Sequence, residues 1–290
     1  MKLRNILAAA TLAATASVSA QLTAPQYIVI QNPQIELSQL KVDKDGYYVL
    51  FDGTNLIGWR GYCKGYIPSK WNIKDGCLHF DGPTSDGEGG DIIFTHQFKN
   101  FEFEVEWKIS EGGNSGIFYL GKETATLSVP SDETIQLNQG PVQGTIQVNK
   151  GPQLNYQPIY ISCPECQVLD NERHPDAKLG ATMGIRQSSS LYDMIVAKPQ
   201  NAKPAGEWNK VKIVVKNGQV THFQNGVKVL NYKIGGKEWA DLLQTSKFSQ
   251  KAWPIAFQIM KDCGNEPGYF GFQDHGDEVW YRNVRVKVLK

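Results

Sequence analysis

The chain has 290 residues, of which 41% are hydrophobic and 20% charged, with 28 Gly, 14 Pro, 7 Trp, 12 Tyr and 12 Phe. That composition excludes a disordered charged tail, a collagen-like fibre and a polytopic membrane protein, while the length suffices for one large all-β core or two small domains. A formal net charge of +1 offers no basic field for nucleic acid and no acidic field for a cationic partner.

In chain order, Lys2 and Arg4 precede an apolar run over residues 6–16, broken only by Thr11 and Thr15, and Val18-Ser19-Ala20 supplies small residues for cleavage. This is the pattern of a secretory signal peptide over residues 1–20. No Cys follows the run, which argues against a lipid anchor. Cleavage removes two cations and no acid, takes the charge from +1 to −1, and leaves no membrane span. The mature protein is expected in a periplasm or outside the cell. Residues 21–46 read as a lead-in and residues 47–290 as one domain.

The rest reads as β-structure. Residues 47–51 and 115–120 have strand composition, and residues 71–80 form a hairpin through Asp75-Gly76. Residues 101–109 alternate strictly. Phe101, Phe103, Val105, Trp107 and Ile109 share one face, and Glu102, Glu104, Glu106 and Lys108 share the other. Residues 211–216 end at Asn217-Gly218, residues 220–223 return, and Asn225-Gly226 turns again into residues 227–230, which makes a meander. Residues 284–288 alternate in the same way. A single short helix is expected over residues 237–248, with Trp239, Leu242 and Leu243 on one side. Gly- and Pro-rich loops are expected at 82–90, 139–157 and 262–268. Many strands without repeats or linkers predict an all-β antiparallel sandwich of jelly-roll type, with a curved sheet and loops able to hold a ligand.

Five cysteines, Cys63, Cys77, Cys163, Cys166 and Cys263, leave at least one unpaired within the chain. Cys163-Pro-Glu-Cys166 has redox spacing but lacks the strand-to-helix context of a thioredoxin turn, and no second Cys pair is spaced to complete a zinc site. Cys63 and Cys77 flank one short hairpin and are expected to bridge.

Eight short motifs then occur in order. Phe51-Asp52-Gly53-Thr54-Asn55-Leu56 with Trp59 comes first, then Asn114-Ser115-Gly116-Ile117-Phe118, Glu165-x-Gln167-Val168-Leu169-Asp170 and Ser190-Leu191-Tyr192-Asp193. Glu207-Trp208-Asn209, His222-x-x-Asn225-Gly226, Gln273-Asp274-His275-Gly276 and Arg282-Asn283-Val284 complete the set. The series resembles the 3-keto-disaccharide hydrolase domain family across residues 47–290. The resemblance implies a concanavalin-like jelly roll, bacterial export and cleavage of glycosides whose sugar has been oxidised to a 3-ketone. It also implies an upstream sugar 3-dehydrogenase in the same pathway. The chain departs from the family pattern at Cys163-Pro-Glu-Cys166, in a longer segment over residues 139–161, and at Ser188-Ser189-Ser190.

Ordinary glycosidases use two carboxylates roughly 5 to 10 Å apart. Glu165 and Asp170 are five residues apart, so a regular strand puts them on opposite faces, with Glu165, Gln167 and Leu169 together. A 3-keto sugar needs something different. The ketone acidifies the C2 proton, so the protein must supply a base, a group to stabilise charge at the ketone oxygen, and help for the leaving oxygen. Glu165, Asp170 and His174 are the candidates for base and acid. Asn114, Ser115, Gln167, Tyr192, Gln273 and His275 are candidates for holding the substrate. The cofactor stays open: Asp170, His174 and Asp176 could hold a divalent metal. One of Trp59, Trp71 and Trp208 could stack on a sugar ring. His222 reads better as a structural hydrogen-bonding histidine, and Arg282 as an ion-pair partner. The competing function is a non-catalytic, lectin-like carbohydrate binder on the same fold. An endo-glucanase is disfavoured, because no Glu-x-Asp-x-x-Glu strand is present.

Overall fold

The computed structural model describes residues 27–127, 131–139, 142–150 and 153–290, the segments 131–139 and 142–150 by backbone alone. The signal peptide expected at residues 1–20 lies outside the described residues. The strands are β1 (Ile28–Val29), β2 (Tyr48–Phe51), β3 (Trp59–Gly61), β4 (Trp71–Lys74), β5 (Cys77–Phe80), β6 (Ile92–Phe98), β7 (Phe101–Ile109), β8 (Asn114–Gly121) and β9 (Thr124–Leu127). They continue with β10 (Ser131–Gln139), β11 (Val142–Lys150), β12 (Leu154–Tyr156), β13 (Glu165–Leu169), β14 (Asn209–Lys216), β15 (Gln219–Gln224) and β16 (Val227–Lys233). After helices α1 (Gly236–Gln244) and α2 (Pro254–Lys261), the chain closes with β17 (Gly268–Phe272) and β18 (Val279–Val288).

Two antiparallel sheets make the expected β-sandwich. One runs β13-β8-β17-β6-β3, and the other runs β16-β15-β14-β7-β18-β5-β4, with β2 also paired to β18. The alternation of β7 becomes burial: its apolar residues face the core and its charged face meets solvent and ion partners. Between the sheets, Phe270 of β17 stacks on Phe103 of β7 at 4.2 Å between ring centres, and Phe272 stacks on Tyr281 of β18 at 3.9 Å. Trp59 stacks on Phe272 at 5.1 Å. Such pairs each add about 0.5–1.5 kcal/mol beyond the area they bury. His222 is structural. Its Nδ1 donates to the Ser189 carbonyl (2.9 Å), its Nε2 accepts from the Tyr119 hydroxyl (2.8 Å), and that hydroxyl also meets Tyr232. Burial pushes the His222 imidazole down to about 4, so the ring is neutral at ordinary pH.

Four expectations are corrected. Among the described residues two α-helices form where one helix was expected. α1 stops at Gln244 because Thr245 Oγ1 and Ser246 Oγ bond back to the Leu242 and Leu243 carbonyls, and α2 begins at Pro254, which suits a first helical turn. The expected loop over 139–157 contains β11 and β12. Cys63 and Cys77 are both free, as are the other three cysteines. Cys63 follows β3 of the five-stranded sheet, whereas Cys77 opens β5 in the eight-stranded sheet. Finally, Trp59 and Trp71 are core residues, 5% and 3% exposed, and Trp208 lies under the Arg282 guanidinium at 3.9 Å on the other sheet's outer face.

Candidate functional site

The β13–β8 pairing sets the site. Glu165 lies opposite Phe118, Gln167 opposite Gly116, and Leu169 opposite Asn114, so the side chains of these residues share a face. The intervening Ile117, Cys166 and Val168 belong to the sandwich core. Glu165, Gln167 and Asn114 therefore point away from the core. β8 is buried along its whole length, because the chain that follows β13 folds back over this outer face.

A cleft of about 240 Å³ opens there, lined by Asn114, Glu165, Gln167, Gln273 and His275 from the sheet and its ends. Tyr160, Tyr192, Lys247 and Trp253 line it from the covering segments. A larger groove of about 420 Å³ crosses the other sheet, but its charges satisfy one another. There Arg285 holds Glu104 at 2.8 Å and Asp43 at 2.7 Å, and Lys210 holds Glu104 at 2.9 Å. In the smaller cleft, among the described residues, neither Glu165 nor Lys247 is held in an ion pair within 4.0 Å.

Glu165 is 6% exposed. Gly116 makes room for it: a Cβ at that position would come within 2.8 Å of the Glu165 carboxyl carbon. With its amide turned to suit its surroundings, Gln167 donates to the Ser115 carbonyl (2.9 Å) and to Glu165 Oε1 (3.0 Å). In that orientation the Gln167 oxygen accepts from the Asn114 amide at 3.3 Å, and the other end of the Asn114 amide lies 3.3 Å from His275 Nε2. Burial pushes the Glu165 carboxyl well above the usual carboxylate range. The Lys247 ammonium opposes that rise, and the charges of Asp91 and Asp176 add to it. A carboxyl shifted this way can both take and return a proton near neutral pH.

Tyr192 presents its ring, since its hydroxyl donates to Asp176 Oδ2 at 3.1 Å. Trp253 meets Tyr160 edge-on at 5.6 Å between ring centres. Lys247 enters from the link between α1 and α2, and its backbone N–H is pinned to Asp193 Oδ2 at 3.0 Å. Of the residues singled out in the sequence, Asn114, Glu165, Gln167, Tyr192, Gln273 and His275 meet around the cleft. Sequence reasoning missed Tyr160, Lys247 and Trp253; Lys247 falls at the end of the expected helix, which stops at Gln244, and the other two lie in connecting segments.

Asp170 and Ser115 do not line the cleft. The Asp170 carboxylate is consumed by the backbone N–H groups of Gly112 (2.7 Å), Glu172 (3.0 Å) and Arg173 (3.3 Å), and so ties the end of β13 to the turn before β8. Ser115 faces the core, where its hydroxyl donates to the Gln273 carbonyl (2.7 Å) and meets the Tyr281 hydroxyl (2.8 Å). Ser188, Ser189 and Ser190 are wholly buried, their hydroxyls bonded to Leu169, Gln224 and Gly184.

The expected metal set of Asp170, His174 and Asp176 does not assemble, because Asp176 is engaged by Arg186 at 3.2 Å and by Tyr192. His174 instead meets His275 and Asp277, with one potential ligand atom from each within 4.8 Å of the others. His174 Nδ1 accepts from the Asp176 backbone N–H at 3.1 Å, which leaves Nε2 free, and burial lowers its proton affinity. Two imidazoles and a carboxylate suit a divalent transition metal. Among the described residues this is the group able to hold one, and His275 places it at the edge of the cleft.

This architecture has counterparts. The chain is 53% identical over 262 residues, 88% of its length and 83% of the relative's, to a Bacteroides thetaiotaomicron protein named 3-keto-disaccharide hydrolase. A crystal structure from Parabacteroides distasonis, provisionally named a glycosyl hydrolase, superposes with a TM-score of 0.62 at 25% identity and covers 85% of this chain and 95% of that one. A second, also provisionally named, from the same organism shares the fold at 17% identity and TM-score 0.52, covering 84% of this chain and 99% of that one. Residues 46–287 match the 3-keto-alpha-glucoside-1,2-lyase-like domain, and the chain belongs to that family.

Proposed function

We propose that this glycoside-cleaving enzyme acts on glycosides carrying a ketone at C3 of the sugar, by elimination and rehydration beside Glu165. One observation carries the reading: among the described residues lining the cleft, Glu165 is the sole carboxylate. The two-carboxylate route of ordinary glycosidases therefore has no pair of groups in the cleft. A C3 ketone removes the need for a pair. The Glu165 carboxylate takes the C2 proton, the C1–C2 double bond forms, and the C1–O bond breaks to release the aglycone, which leaves with a proton from water. The hydroxide left by that water then adds to C1 while the proton held by Glu165 returns to C2. The sum is hydrolysis to a free 3-keto sugar. In this reading Gln273 holds a sugar hydroxyl and Trp253 and Tyr160 face the ring, while Gln167, backed by Asn114, keeps the Glu165 carboxyl in position.

The name of the Bacteroides thetaiotaomicron relative supports the 3-keto substrate. Such a substrate must come from an enzyme that oxidises the C3 hydroxyl of an intact glycoside. The N-terminal apolar run supports export to the periplasm or beyond. The test is turnover of p-nitrophenyl 3-keto-glucoside beside p-nitrophenyl glucoside. The expected result is release of p-nitrophenol from the keto substrate alone. Release from both at similar rates, or binding without release, overturns the reading, and the second result returns the chain to the lectin-like class.

A further inference from the structure

Among the described residues that line the cleft Lys247 is the one lysine or arginine, and its setting is unusual for a lysine. Its Nζ lies 4.2 Å from the centre of the Tyr192 ring, 5.0 Å from Phe248 and 5.5 Å from Tyr160. Three aromatic rings surround the ammonium of this lysine, which is half-buried and lines the cleft. Among the described residues Nζ has no hydrogen-bond acceptor and no ion-pair partner within 4.0 Å. Asp193, a natural partner, is spent on the Lys247 backbone N–H and on Arg186 Nε at 2.7 Å. Asp176 is spent on Arg186 and Tyr192. The charged groups that face Lys247 are thus Glu165 from β13 and the Asp176, Arg186 and Asp193 cluster from the covering segment. A caged ammonium with unused donors, sharing a cleft with a buried base, is preorganised for negative charge that arises only during reaction.

We infer that Lys247 is a catalytic residue whose ammonium binds the C3 oxygen of the sugar and stabilises the enolate formed when Glu165 removes the C2 proton. The inference rests on the reading of the cleft given above. No covalent bond to Lys247 forms, and the ammonium keeps its protons throughout. The negative charge gathers on the ketone oxygen as the C2–H bond breaks and disperses as the aglycone departs. Burial lowers the proton affinity of Lys247, while Glu165 opposes that change. The enzyme therefore loses activity on the alkaline side at a pH below the range of an exposed lysine.

Two substrates separate the roles. p-Nitrophenyl 3-keto-glucoside has a leaving group that needs no proton, and methyl 3-keto-glucoside has one that does. Exchange of the C2 hydrogen of the methyl substrate with D₂O reads enolate formation directly. In Lys247→Met the expected result is a loss of about 10²–10³ in kcat on both substrates, with exchange lost in parallel. Lys247→Arg, whose charge persists at all accessible pH, recovers part of the activity and abolishes the alkaline limb. A loss confined to the methyl substrate makes Lys247 a leaving-group acid and overturns the inference, as does unchanged exchange in Lys247→Met or a retained alkaline limb in Lys247→Arg. If the wild type neither exchanges C2 hydrogen nor releases p-nitrophenol, the reading of the cleft falls instead. Thermal denaturation of both variants separates loss of fold from loss of function.

Discussion

Replacing Gly116 with Ala tests the placement of Glu165 without altering any polar group in the cleft. The added Cβ would stand 2.8 Å from the Glu165 carboxyl carbon and 3.0 Å from its Cγ, closer than carbon atoms pack. Gly116 is hydrogen-bonded on both sides, paired with β13 and accepting from the Gln273 N–H at 3.0 Å, so the backbone has little freedom to retreat. The Glu165 side chain must swing instead, which also breaks its contact with Gln167. Overpacking of this kind costs about 1–3 kcal/mol, or roughly 2–4 °C in Tm per kcal/mol for a chain of this size. A displacement on the order of 1 Å at a reacting group costs about 10²-fold in rate. The expected outcome is a folded variant, a few degrees less stable, whose kcat on p-nitrophenyl 3-keto-glucoside falls by about two orders of magnitude. Turnover within about threefold of wild type, together with the expected fall in Tm, would show that the carboxylate is not needed where the structure holds it.

Further outcomes can be checked separately. The acid limb of kcat/KM should lie above the ordinary carboxylate range, because Glu165 must be ionised to act and burial raises its pKa. Glu165→Gln should remove that limb and nearly all activity, and a wild-type limb near pH 4 would contradict the assignment. Asp91 Oδ1 accepts from the Asp274 N–H at 2.9 Å, yet burial pushes its carboxyl up from 3.8 to about 7. Below the lower value both folded and unfolded chains are protonated. Between the two values only the unfolded chain ionises, so stability falls as pH rises, by at most about 4 kcal/mol. Asp91→Asn keeps the acceptor and should therefore stabilise the protein at pH 8 but not at pH 3, as read by urea denaturation; an equal effect at both would refute the cause given. Chelator-treated protein should bind one Zn²⁺ or Mn²⁺ in titration calorimetry, and His174→Ala with His275→Ala should abolish that binding; unchanged binding places the ion elsewhere.

The strands were legible because alternation over β7 and the Asn-Gly and Asp-Gly turns are local signals. The same parity explains two misplacements. Ser115 follows Asn114 on a strand and so must face the opposite way, into the core. Asp170 is an odd number of residues from Glu165, and its short carboxylate serves the loop backbone. Lys247 and Trp253 were hidden for another reason. The helix expected to run through residue 248 ends at Gln244, and the turn that follows carries no period from which a direction could be read. The histidine pair was only half visible, because His275 lies about a hundred positions from His174 and only the fold brings their rings 6.0 Å apart.

The cleft joins parts with unequal freedom to vary. Its floor is β8 and β13, where each residue is locked between the sandwich interior and the cleft, so a change made for one side disturbs the other. Three of its wall residues, Tyr160, Tyr192 and Trp253, come from connecting segments and are half-buried. Descendants of this chain can therefore change which aglycone they accept by redrawing the walls, while the reactive centre below is inherited intact.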